Sequence, residues 1–138
     1  MLRLFGGKNA PDKTIVALPH VTKSEMLRGM ARARYCPIFG GNSPWSTRLV
    51  EAMMARCVPV FFSSWLPPFS RVLDWSRFSV RWPYARASSL VPFLRTLPEE
   101  RVCAMRRAAV EAWEAHFSTT ERQVDTLLRV LAMQCASP

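Results

Sequence analysis

Long apolar runs are what this sequence most clearly lacks. It has no stretch of about 18 consecutive apolar residues, so nothing in it reads as a membrane-spanning helix. Its start, MLRLFGGKNAPDK, carries no apolar signal-peptide core. Histidine is scarce, with 2 in 138 residues. The 4 cysteines (Cys36, Cys57, Cys103 and Cys135) form no C-x-x-C and have no histidine at ligand spacing, which speaks against a zinc site. No metal and no tightly bound cofactor is expected. Cys36 and Cys57 each flank an apolar run and read as small buried hydrophobes. Acids are few, 10 against 19 basic residues, leaving a net charge of +9. That balance favours anionic partners. Yet the arginines are scattered, and no basic run interleaved with aromatics appears, as a nucleic-acid groove would need. Low-complexity tracts are absent too, and 49% hydrophobic with 21% charged residues is the composition of one ordinary globular domain over residues 1–138.

What the chain does have is alternation. TIVALPHV (14–21) reads as a first strand. Thr22 with Glu25 makes a capping box for a helix over 23–33. RYCPIF (34–39) is a second apolar run, with Pro37 arguing for a strand edge or an early end to the pairing. Ser43 and Pro44 offer an N-cap and a first helical position for a helix over 44–56. CVPVFF (57–62) has no alternation, as expected of a strand covered on both faces. FSRVLDW (69–75) predicts one or two helical turns, FSVRW (78–82) a further strand, and 87–96 a helix. Two closing helices follow, one opening at Pro98 and one at a second capping box, Ser118 with Glu121, whose residues Leu127, Leu128, Leu131 and Ala132 share a face. The pattern specifies an α/β fold: a Rossmann-like open parallel sheet with helices on both faces, ending in two helices.

Open parallel sheets bind ligands at the carboxyl ends of their strands. GGNSPWSTRLVEA (40–52) is one such strand-to-helix loop, with more polar groups than a turn requires. Gly40 and Gly41 permit close backbone approach, and the helix start presents amides and the positive dipole end to an anion. Ser43 and Ser46 add hydroxyls, Arg48 adds a guanidinium suited to oxyanions, and Glu51 can accept from ribose hydroxyls. Each has a plainer reading. The glycines make a turn, Ser43 a cap, and Arg48 with Glu51 at i, i+3 a surface ion pair. His20 closes the first strand at the end where a site would lie and is kept as a candidate. His116 has no partner motif. By residues alone the chain is a nucleotide- or phosphate-binding α/β domain, and no reaction follows.

The stretch RYCPIFGGNSPWSTRLVEAMMARCVPVFFSSWLPPFSRVLDWSRFSV, with the helical sequel to Phe117, resembles the exostosin family of GT47-type glycosyltransferases. These are the heparan-polymerase type, together with plant and algal wall-polysaccharide enzymes. Ser-x-Arg-Leu-x-Glu-Ala followed by Cys-Val-Pro-Val carries most of the likeness. The resemblance implies the C-terminal, donor-binding half of a GT-B fold. Ser46 and Arg48 would then lie near the diphosphate of a nucleoside diphosphate sugar, UDP by preference, with Glu51 at the ribose and Gly40 and Gly41 lining the loop. It implies transfer to a glycan acceptor with inversion, in the Golgi lumen. The general base would come from the N-terminal half, which this stretch does not include and which a partner subunit or missing domain would have to supply. Two departures stand out. Arg56 replaces the family's glycine before Cys-Val-Pro-Val, and Ser63-Ser64 replaces a serine-acid pair, so whatever that acid contributes to sugar binding or catalysis in the family is lost here; Ser63 and Ser64 are kept as candidates. A degenerate, non-catalytic interaction module is therefore the alternative, and a basic scaffold for sulfated glycans the third.

Overall fold

The computed structural model describes residues 22–39, 46–62 and 66–135. Thr22 opens the first helix as its sequence predicts. Its Oγ1 accepts from the Glu25 amide at 3.2 Å, and Glu25 Oε2 accepts from the Thr22 amide at 2.9 Å. This reciprocal cap fixes α1 at Lys23–Arg32. The chain continues through β1 (Tyr35–Ile38), α2 (Thr47–Met54), β2 (Val58–Phe61) and β3 (Val80–Arg81). It closes with α3 (Leu90–Thr96), α4 (Glu99–His116) and α5 (Thr120–Cys135). The described strands form one parallel sheet in the order β1-β2-β3, with Tyr35 opposite Val58 and Val60 opposite Val80. Pro37 sits in β1, which is an edge strand among the described strands. The strand expected over 14–21 lies outside the described residues.

All four residues of β2 are buried, as their unbroken apolar run requires of a covered strand. On one face, Cys36, Ile38 and Phe61 pack with Leu49, Ala52 and Met53 of α2 and Ala109 and Ala112 of α4. On the other, Val58, Val60 and Val80 pack with Leu90 and Leu94 of α3 and Met105 of α4. Burying a side chain such as Leu49 or Met53 contributes about 1.5–3 kcal/mol, which ties α2 firmly to the sheet. The expected helix over 87–96 is in two parts, a 3-10 segment at Tyr84–Ser89, kinked at Arg86, and then α3.

Three expectations are corrected. Cys36 and Cys57 are not free thiols but a disulfide, with Cα atoms 5.7 Å apart. The β1-α2-β2 crossover returns the chain so that the starts of two parallel strands become neighbours within bridging reach. Next, α2 begins at Thr47 with Ser46 as its N-cap residue rather than at Pro44, and the expected cap Ser43 is outside the described residues. Third, the last helix is capped by Thr119, whose Oγ1 accepts from the Arg122 amide at 3.3 Å. Ser118 instead donates to the Glu114 carbonyl at 2.8 Å. The shared leucine face of α5, whose covering the sequence left open, does not face the core. Leu127, Leu128 and Leu131 are 48%, 59% and 45% exposed, and the buried residue of that helix is Thr126.

The glycine missing before Cys57 leaves a visible mark. Arg56 adopts φ 59°, the left-handed conformation that a glycine would take. The Cys57 amide donates to the Ala52 carbonyl at 2.9 Å and the Arg56 amide to the Met53 carbonyl at 3.0 Å. These are the two bonds of a Schellman helix end, so α2 terminates in the usual way with a strained residue at its hinge. Arg106 Nε donates to the Arg56 carbonyl at 2.7 Å and braces it from α4.

Candidate functional site

Because β1, β2 and β3 are parallel, their carboxyl ends share one edge of the sheet. The start of α2 belongs to that edge, since it follows β1. So does the start of α1, which reaches Glu51 through Lys23. Ser46 is extended (φ −126°, ψ 169°), and its hydroxyl makes no bond to the first-turn amides of α2. One turn on, Glu51 sits between two cations. Arg48 Nη1 donates to Glu51 Oε2 at 2.7 Å, and Lys23 Nζ lies 3.8 Å from Glu51 Oε1. The Glu51 side chain is 15% exposed, against 50% for Arg48 and 76% for Lys23. The acid is thus held in place while both cations keep open sides to solvent. The cluster carries one net positive charge beside a helix N-terminus, which is an environment for an anion.

Three of the sequence-derived candidates, Ser46, Arg48 and Glu51, therefore come together on α2. Gly40, Gly41 and Ser43, and likewise His20, Ser63 and Ser64, lie outside the described residues. Lys23 was missed. Its only sequence signal was its place one residue after a helix cap, and its nearness to Glu51 is a matter of how α1 packs on α2.

A second feature was also missed. A groove of about 700 Å³ opens on the same edge, at the carboxyl ends of β2 and β3. Phe61 and Trp75 form its apolar side, and Arg71, Asp74 and Arg81 stand at its polar side. Nearby, Phe39, Phe62 and Tyr84, each just beyond a strand end, form an aromatic row. Phe39 and Phe62 stack with centroids 5.2 Å apart, and Tyr84 meets Phe62 edge-on at 6.3 Å. Trp75 is buried and Trp82 half-buried. His116, at the far end of α4, bonds Thr126 of α5 at 3.0 Å and takes no part in this edge. Among the described residues no group of histidine, cysteine and acidic side chains is placed to hold a metal ion. None of the described helices is long and apolar enough to cross a membrane.

Comparison with known proteins agrees with the motif. The family model of the Exostosin GT47 domain matches residues 3–97. Among curated proteins the chain is 30% identical over 114 residues to Exostosin-like 1 of Homo sapiens, covering 82% of this chain and 17% of that protein. It is 32% identical over 108 residues to Exostosin-1 of Bos taurus, covering 78% of this chain and 14% of the relative. Exostosin-1b of Danio rerio is 33% identical over the same length, with the same coverage. The chain thus spans less than a fifth of the length of the relatives it matches. With the family model matched over more than half of its residues, the chain belongs to the exostosin GT47 family of glycosyltransferases.

Proposed function

We propose that this chain is a donor-binding unit of a glycosyltransferase, the C-terminal half of a GT-B pair, which holds a nucleoside diphosphate sugar for transfer to a glycan. The observation that carries the reading is the Lys23–Glu51–Arg48 cluster beside the start of α2, at the carboxyl edge of a parallel sheet. A diphosphate placed there meets the helix dipole, the Ser46 hydroxyl and the Arg48 guanidinium, while Glu51 accepts from ribose. Gly40, Gly41 and Ser43 complete the loop in this proposal. UDP is the nucleotide we favour by family likeness.

In the reaction proposed, an acceptor hydroxyl oxygen attacks the anomeric carbon from the face opposite the diphosphate. A new carbon–oxygen bond forms as the bond to the diphosphate breaks, which inverts the centre. The hydroxyl proton passes to a general base, and the nucleoside diphosphate leaves with the bonding electron pair. Arg48 and the helix terminus stabilise the charge that builds on the departing phosphate. The base and the acceptor surface belong, in this reading, to an N-terminal domain or a partner subunit. The Cys36–Cys57 disulfide supports an oxidising compartment, in keeping with the Golgi lumen that we propose.

Isothermal titration of the folded chain with UDP tests the reading. Saturable binding competed by a UDP-sugar is expected, with an affinity in the micromolar to millimolar range, roughly −8 to −4 kcal/mol. No heat at millimolar UDP would turn the assignment to the second reading, a non-catalytic interaction module. That reading is favoured by one observation, the exposed apolar stripe of α5. Arg56 no longer speaks for degeneration, because the turn it occupies closes as a glycine turn does.

A further inference from the structure

α5 has its polar side turned in and its apolar side turned out. Thr126 is its buried residue and meets the His116 ring of α4 at 3.0 Å. Gln123 Nε2 donates to the Phe117 carbonyl at 2.9 Å, and Arg122 Nη1 donates to the Glu114 carbonyl. These anchors are all polar and all lie in the first half of the helix. On the other side, Val124, Leu127, Leu128 and Leu131 are between 45% and 59% exposed. Cys135, free and exposed, continues their line at the helix end. A surface helix ordinarily buries its apolar stripe and wets its polar face. Here the stripe is left for a partner to cover.

The spacing says what shape of partner fits. Val124, Leu128, Leu131 and Cys135 follow one another at intervals of four, three and four, which are successive d, a, d and a positions of a heptad. Such a line is a narrow seam that one facing helix covers, whereas docking on a broad face needs a wider stripe. The facing helix must carry an exposed apolar line of its own. Among the described helices only α5 does, since α2 exposes one large apolar side chain, Met54, and the others expose none. The helix that fits α5 is therefore α5 of another copy.

Charge selects the direction. Glu121 lies seven residues before Leu128, in the same heptad position, and is exposed. A parallel pair would press the two Glu121 carboxylates together in the seam. An antiparallel pair sets Leu128 against Leu131 of the other copy and Val124 against its Cys135, and leaves each Glu121 past the end of the opposite helix. At the flank, Asp125 is already offset by Arg129 at 2.9 Å. We infer that α5 pairs antiparallel with α5 of a second copy of this chain, about a two-fold axis. The four side chains expose a patch on the order of 400 Å², which is large for a monomer. Two such patches bury roughly 800–1,000 Å², the low end of specific interfaces. The pair is thus weak and depends on concentration. It goes beyond the donor reading and does not rest on UDP binding.

Sedimentation equilibrium of the full chain from about 10 μM to about 1 mM tests the pairing, in about 0.3 M salt to screen the charge of each copy. A monomer–dimer equilibrium is expected, with a dissociation constant on the order of 100 μM. Leu131→Glu and Leu128→Gln change side chains that are exposed in the single copy, so circular dichroism at low concentration should match the parent. Each should weaken the dimer about tenfold or more. Direction is read by thiol–disulfide exchange with oxidised glutathione, in a Cys103→Ser background. Two thiols become one disulfide, and their two electrons and two protons convert the glutathione disulfide into two glutathione thiols. Adding Val124→Cys should give rapid covalent dimers through positions 124 and 135, whereas Cys135 alone should react at least about tenfold more slowly. A monomer throughout the range overturns the second copy as occupant and leaves the stripe to a partner of another kind. A dimer indifferent to both leucine variants places the interface elsewhere and also overturns it. Fastest crosslinking through Cys135 alone would overturn the antiparallel order.

Discussion

Arg48 and Glu51 are joined at 2.7 Å on one face of α2, and the acid is the more buried partner, 15% exposed against 50%. An exposed i, i+3 pair of this kind contributes a few tenths of a kcal/mol to stability. Removing the guanidinium is therefore expected to leave the fold intact. Arg48→Ala should unfold within about 0.5 kcal/mol of the parent while binding UDP more weakly by about 1–3 kcal/mol, the range for a charged hydrogen-bond partner. Urea denaturation and calorimetric titration read the two effects separately. Parent-like UDP affinity would remove Arg48 from the site.

Glu51 faces two cations, so its loss should act differently on two ligands. Glu51→Ala removes the acceptor proposed for ribose and also releases Lys23 and Arg48 from a negative neighbour. UDP binding is expected to fall, whereas pyrophosphate, which has no ribose, should bind as well as before or better. Competition between the two ligands measures this directly. A parallel loss of both would contradict the ribose role and leave Glu51 as a brace for Arg48.

Arg56 sits at φ 59° where the helix end favours glycine. The bond that Arg106 makes goes to the Arg56 carbonyl, not to its side chain, and survives substitution. Arg56→Gly removes the left-handed penalty of roughly 1–2 kcal/mol and loses part of that gain to the greater freedom of glycine in the unfolded chain. The expected result is a net stabilisation of about 0.5–1 kcal/mol, a rise of several degrees in Tm for a domain of this size. A lower Tm would mean that the Arg56 side chain makes a contribution its backbone geometry does not suggest.

How far the sequence could be read depended on the range of the interaction. The Thr22–Glu25 box was legible because its three-residue spacing is its geometry. The parallel sheet was legible because strand and helix patterns alternate and each β-α-β unit has one handedness. The disulfide was not, since nothing local says that Cys36 and Cys57 begin neighbouring strands. Ser118 and Thr119 compete as adjacent hydroxyls, and the choice fell to tertiary contacts, as Arg122 reaches back to the Glu114 carbonyl. The leucines of α5 announced a helix face, but periodicity cannot say whether a face is covered. On the candidate site, Ser46, Arg48 and Glu51 were visible as a motif. Lys23 and the groove were not, because their residues meet only when separate elements share one sheet edge.

The disulfide gives a chemical prediction. Cys36 and Cys57 are 6% and 0% exposed, whereas Cys103 and Cys135 are free and exposed. Alkylation of the native, unreduced chain should modify two cysteines, and alkylation after denaturation and reduction should modify four. Closing a loop with a sequence separation of 21 is expected to stabilise by about 3 kcal/mol on the chain-entropy account, so the reduced chain should unfold at markedly lower urea. Four modified cysteines in the native, unreduced protein would rule the bridge out.

His116 predicts how acid acts on the closing helices. Its Nδ1 lies 3.0 Å from Thr126 Oγ1, and the Thr126 proton is already given to the Arg122 carbonyl at 2.8 Å. The imidazole is therefore the donor, and it ties α4 to α5. Burial, and then the positive charge of Arg129, lower its pKa below the ordinary value, with Asp125 opposing them. Above the unfolded-state pKa of about 6.5 neither state binds the proton and stability is flat. As pH falls below that value the unfolded chain takes up the proton first, so stability declines until the folded form is protonated too. Thermal unfolding between pH 8 and 5 should show this loss in the parent. His116→Gln keeps a side-chain N–H donor without a titrating group, and its stability should change less over the same window. Equal slopes for the two proteins would place the acid sensitivity elsewhere.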